Sequence, residues 1–151
     1  MKDLHFDIYI AATPETVWNA LTQPEGVAKL YFGSRLETTF EPGSPYRYLG
    51  PDGKGNEVAH VEGEVLACKR NELLQVTHRA GPIWQKGPKV YSSRLAYKIE
   101  GLGFATKLSI VHDQWQEGDP GHANNAGGWM LFLSSVKSYI ETGKPLDLPM
   151  H

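Results

Sequence analysis

Cys68 is the only cysteine among 151 residues, which rules out an internal disulfide and suits a reducing compartment. No run of lysine or arginine forms a basic stripe: 15 basic residues against 17 acidic ones leave a net charge of −2. That balance gives no electrostatic reason to bind nucleic acid or an acidic membrane. No apolar stretch approaches the ~20 residues of a membrane-spanning helix. The opening Met1-Lys2-Asp3-Leu4-His5-Phe6-Asp7 also lacks the apolar segment of a signal peptide. A cytoplasmic protein is expected, with neither nucleic acid nor membrane as partner.

Several catalytic signatures are missing as well. There is no HxH, HExxH or CxxC spacing, and His5, His60, His122 and His151 fall on dispersed or terminal segments. No metal site and no cofactor are expected. No Gly-x-Ser-x-Gly elbow or phosphate loop occurs. Gly101-Leu102-Gly103 reads as a hairpin, because no helix follows it. Cys68 stands alone near a turn and reads as an inert thiol.

What is present is strong periodicity. Leu4, Phe6, Ile8 and Ile10 alternate with polar neighbours as in a half-buried strand. Thr13-Pro14-Glu15 reads as N-cap, first helical position and dipole-complementing acid, with Val17, Trp18, Ala20 and Leu21 as the buried side. Pro24-Glu25 opens a second short helix that packs through Val27, Leu30 and Tyr31. From Arg35 to Trp115 turn signals separate strands, and the sets that share a face are Tyr46/Tyr48, Val61/Gly63/Val65, Leu74/Val76/His78, Ser93/Leu95/Tyr97/Ile99 and Thr106/Leu108/Ile110/His112. The inward-facing set combines Tyr46, Tyr48, Leu74, Val76, His78, Leu95, Tyr97, Ile110, His112, Trp129, Phe132 and Leu133. Ala126, Trp129, Met130, Leu133, Val136 and Ile140 then recur at helical spacing, closed by Gly143 and Pro145. Gly127-Gly128 is expected to permit close approach of helix to sheet, and Gly63 to let a strand bend. The order predicts one α+β domain over 1–151, a curved antiparallel sheet of about six to seven strands wrapped around a long C-terminal helix.

These residues resemble a known family. Ala12-Thr13-Pro14-Glu15-Thr16-Val17-Trp18-Asn19-Ala20-Leu21-Thr22 is similar to the opening of START-like helix-grip (SRPBCC) proteins, in the branch named after the activator of the heat-shock-protein-90 ATPase. Ala28-Lys29-Leu30-Tyr31-Phe32 resembles that branch's second helix. Pro42-Gly43 and Pro51-Asp52-Gly53 resemble its early hairpin, and Thr106 to His112 its penultimate strand. Gly128-Trp129, Leu133, Lys137-Ser138-Tyr139-Ile140-Glu141 and Gly143-Lys144-Pro145 resemble its closing helix. The resemblance implies a cavity between helix and sheet that takes a lipid-like, hormone-like or polyketide-like molecule. It also implies that a small stand-alone member lacks the extra domain by which the named co-chaperone engages its partner.

The inward set defines a candidate site of Tyr46, Tyr48, Val76, His78, Leu95, Tyr97, Ile110, His112, Trp129 and Leu133, expected to hold a small apolar or aromatic molecule. Buried Tyr hydroxyls and imidazoles each need a partner, and a cavity would supply room for one. His78 and His112 are expected at one pocket, about 10 Å apart across two strand spacings. On this reading Leu95→Trp or Leu133→Trp fills empty space with little unfolding. Two other readings remain open: a cyclase, dehydratase or hydrolase using His78 or His112 with a Tyr hydroxyl, and an interaction module that activates a chaperone ATPase. Trp84 and Trp115, large aromatics in expected loops, line an entrance, cover the end of the helix, or make a homodimer contact.

Overall fold

β1 (Leu4–Ile10) buries Leu4 and Ile10 and exposes His5, Asp7 and Tyr9, the alternation of a strand with one wet face. The computed structural model describes residues 1–149; His151 lies outside them. Thr13 caps α1 (Pro14–Thr22), its hydroxyl accepting from the Thr16 amide at 3.2 Å. Pro24 forces Gln23 out of the helical region, so α1 ends there and α2 (Pro24–Leu30) starts at once. The corner is tight enough to require glycine at 26, where an added Cβ would sit 2.1 Å from the Ala20 carbonyl oxygen.

Six further strands follow: β2 (Arg35–Glu37), β3 (Pro45–Pro51), β4 (Glu57–Lys69), β5 (Leu73–Ala80), β6 (Ser93–Gly101) and β7 (Thr106–Asp113). All neighbours are antiparallel, in the order β1-β7-β6-β5-β4-β3-β2. The inner face carries Tyr46, Tyr48, Val65, Leu74, Val76, Leu95, Tyr97, Leu108, Ile110 and His112, all buried. The outer face is laced by ion pairs, among them Arg47–Glu37, Arg35–Glu57, Arg79–Glu62 and Arg94–Asp113. The β4–β5 register shifts between Val65 and Ala67, and nearby Gly63 packs so closely on β5 that an added Cβ would meet the Thr77 carbonyl oxygen at 1.9 Å. A second register shift separates Tyr48 from Leu49, and these irregularities add curvature to the sheet.

α3 (Gly121–Thr142) closes the fold and ends at Gly143, whose left-handed φ of 86° lets its amide reach the Tyr139 carbonyl. It begins a turn or more before the expected apolar stripe, and its buried line is Trp129, Leu133, Ser135 and Val136. Ala126 and Met130 face solvent instead. Met130 follows Trp129 by one residue, about 100° around the helix, and that rotation carries it off the buried line. The expected close approach at Gly127-Gly128 is not made: a Cβ at either position would meet nothing within 4 Å.

Both ends of α3 are tied to β1 and its approach. His122 Nε2 donates to the Lys2 carbonyl at 2.7 Å, and near the other end Glu141 accepts from the Ala11 amide at 2.8 Å. Lys137 Nζ donates to the Tyr9 carbonyl between them. The helix therefore runs along one side of the concave sheet and leaves β3, β4 and β5 to be covered by other elements. No helix among the described residues is long and apolar enough to cross a membrane.

Candidate functional site

Four tyrosines meet where α2 faces the sheet: Tyr31 after α2, Tyr46 and Tyr48 from β3, and Tyr97 from β6. Tyr46 Oη donates to Tyr48 Oη at 2.8 Å, and the hydroxyls of Tyr31 and Tyr97 lie 2.9 Å apart. The Tyr31 and Tyr48 rings stack at 4.2 Å. Burial raises all four phenol pKa values, those of Tyr31, Tyr46 and Tyr97 well above the ordinary range, so the cluster stays neutral. Contrary to the expectation from sequence, these hydroxyls need no cavity for their partners. They satisfy one another, avoiding a penalty of about 1–3 kcal/mol for each unpaired group.

His112 is also fully engaged. Trp129 Nε1 donates to its Nδ1 at 3.0 Å, so the neutral ring carries its proton on Nε2, and that proton goes to Ser93 Oγ at 2.6 Å. Ser93 in turn donates to the His78 carbonyl at 3.3 Å. Burial, reinforced by His78 and His122, lowers the His112 pKa to about 2. Trp115 packs 4.0 Å from the imidazole and donates to the His112 carbonyl. It therefore covers this end of the structure beside the start of α3.

His78 differs. Its ring lies 5.0 Å from that of His112, half the expected separation, because the small Ser93 side chain between them lets the imidazoles lean together. No hydrogen bond engages its ring nitrogens among the described residues, and the half-buried ring faces open space. Burial lowers its pKa to about 4, so it is neutral at physiological pH and offers both a donor and an acceptor.

That open space is a cavity of about 330 Å³ on the side of the sheet that α3 leaves uncovered. Tyr31, Phe32, Tyr48, Val61, Ala80 and Trp84 form its apolar walls; Ser34, His60, His78 and Asn125 supply polar groups. Trp84 belongs to the short 3-10 turn Pro82–Trp84 and stands at the mouth, 39% exposed. Its indole donates to His60 Nδ1 at 2.9 Å, and His60 Nε2 donates to the Pro51 carbonyl at 2.9 Å. Gly81 lets this turn seat tightly on β4, since a Cβ there would lie 1.8 Å from the Ala59 carbonyl oxygen. An outer chamber of about 170 Å³ shares His78, Ala80, Trp84 and Asn125 with the first and extends toward Trp115 and Asp119.

Of the ten candidate residues, Tyr48 and His78 stand on the cavity wall. Tyr46, Val76, Leu95, Tyr97, Ile110, His112, Trp129 and Leu133 lie behind it in close packing, each between 0% and 8% exposed. Strand phase did not point to Phe32, Ser34, His60, Val61, Ala80 or Asn125 as cavity lining. Trp84 was the one useful signal, a large aromatic in a segment that should be exposed. Among the described residues no cluster of three or more His, Cys, Asp or Glu side chains is arranged to hold a metal.

Comparison with known proteins agrees with this architecture. The sequence profile of the Activator of Hsp90 ATPase homolog 1-like protein matches residues 11–141. Among curated proteins none matches the chain. A protein from Cytophaga hutchinsonii is 22% identical with a TM-score of 0.75, over 95% of this chain and 96% of its own. The Aha1 dimer from Colwellia psychrerythraea gives 22% and 0.72, over 95% and 99%. DynU16, a protein in the dynemicin biosynthetic locus, gives 24% and 0.72 over 96% of this chain and 49% of its own, so this chain spans about half of DynU16. At such identities the likeness is one of fold alone.

Proposed function

The chain belongs to the Activator of Hsp90 ATPase homolog 1-like family, and we propose that it holds a small apolar or aromatic molecule in the cavity bounded by Tyr48, Val61, His78 and Trp84. The observation that carries this reading is a cavity of about 330 Å³ whose walls are mostly aromatic and whose one unengaged imidazole points inward. Apolar surface removed from water supplies the affinity, at about 25 cal/mol per Å². His78 and the Asn125 amide set the orientation of the guest. Tyr46, Val76, Leu95, Tyr97, Ile110, His112, Trp129 and Leu133 form the rigid layer against which the contact residues are braced.

A catalytic reading is weaker on this geometry. A general base works best with a pKa near the working pH; His78, at about 4, is a poor proton acceptor. His112 has both ring nitrogens committed. The dimeric Colwellia relative raises homodimer formation for this chain, with Trp84 among the exposed apolar residues available for it. The test of binding is Ala80→Trp, since Ala80 is half-buried and borders both chambers. Fluorescence titration with the neutral probe phenylnaphthylamine should show affinity falling about tenfold or more, equivalent to ~1.4 kcal/mol, with the fold intact by circular dichroism. Unchanged affinity in the folded variant would place the guest elsewhere.

A further inference from the structure

The outer chamber differs in chemistry from the inner one. Beyond the shared residues its wall carries Arg79, Lys86 and Lys89. Arg79 is engaged by Glu62 at 3.4 Å across the sheet. Neither Lys86 nor Lys89 has a carboxylate within ion-pairing distance among the described residues. The Lys89 ammonium is held 4.8 Å from the centre of the Tyr91 ring, which forms part of the same wall. Asp119 is the one carboxylate there, and it is occupied in accepting from the Gly121 amide at 2.8 Å. Two lysines against one carboxylate leave a single positive charge at the end of an otherwise neutral, aromatic passage.

Such a gradient suits a guest with an apolar body and one negative end. We propose that the ligand is an amphipathic monoanion, a carboxylic or sulfonic acid. Its apolar body lies against Tyr48, Val61 and Trp84, and its acid group lies in the outer chamber beside Lys86 and Lys89. This rests on the ligand-binding reading above and narrows it. A doubly charged phosphate is a poorer match, because one net positive charge leaves half of it unbalanced. The low-dielectric walls focus the lysine field along the passage, and added salt weakens the attraction.

The test compares two probes of one aromatic skeleton, anilinonaphthalene sulfonate and the uncharged phenylnaphthylamine, both followed by fluorescence. In the Lys86→Gln/Lys89→Gln protein the sulfonate should bind about five- to tenfold more weakly, the sum of two partly exposed charge contacts. The neutral probe should be unaffected. A Lys98→Gln/Lys144→Gln control removes the same charge from the outer sheet face and from beyond the end of α3, and should leave both probes unchanged. If the neutral probe binds but the sulfonate loses less than about twofold, or loses as much in the control, the anion assignment is overturned and the cavity reading stands. If neither probe binds the unmodified protein, both fall together.

Discussion

Acid should destabilise this protein well before its carboxylates titrate. His78 and His112 have pKa values lowered from 6.5 to about 4 and about 2, chiefly by burial. In the unfolded chain both return to about 6.5. Between those limits the unfolded state binds protons that the folded state refuses, so folding stability falls as pH falls through 6.5. The loss continues down to each folded-state pKa and is then complete. From about pH 8 to about pH 5 each histidine costs about 2 kcal/mol, or about 4 kcal/mol for the pair. This window does not depend on how far below 5 the folded values lie. Carboxylates held low by their partners, such as Asp7 beside Ser109 and Asp113 beside Arg94, give up their stabilisation only below about pH 4. Urea denaturation at a series of pH values measures the slope. His78→Gln, at the cavity wall, should abolish about half of the pH-dependent loss. If the slope is flat between about pH 6.5 and 5, or is untouched in His78→Gln, the burial argument for these imidazoles is wrong.

Two further substitutions probe the packing behind the cavity. Tyr48→Phe removes the acceptor of the Tyr46 hydroxyl inside a closed cluster and should cost about 1–3 kcal/mol in chemical denaturation; a cost near zero would mean that water already enters there. Leu133→Trp, which sequence reasoning expected to fill empty space, should instead destabilise by about 1–3 kcal/mol or more, because Leu133 is fully buried in close packing. A thermal melt at the unmodified temperature would contradict that.

Strand phase was legible where an inward residue alternates with a charged one. Tyr46 and Tyr48 point to the core, and Arg47 between them pairs with Glu37 on the other face. The caps at Thr13 and Gly143 were legible for the same reason: each residue type has few other uses in that position. The first turn of α3 was not. Gly121-His122-Ala123-Asn124-Asn125 has little helical propensity and no apolar stripe, and tertiary contacts such as that of His122 with Lys2 support it. The lateral seat of α3 was hidden too, because it depends on Ala11–Glu141 and Lys2–His122, partners far apart in the chain. That seat decides where the cavity opens, so the cavity lies beside the helix, against β4, β5 and the Trp84 turn. Likewise, Tyr31 completes the hydroxyl cluster from a helix end, where no strand alternation could mark it.

A crystal structure grown with phenylnaphthylamine should show the probe between Tyr48, His78 and Trp84, within hydrogen-bonding reach of the His78 ring. Density for the probe elsewhere, or an empty cavity at saturating probe, would contradict the account.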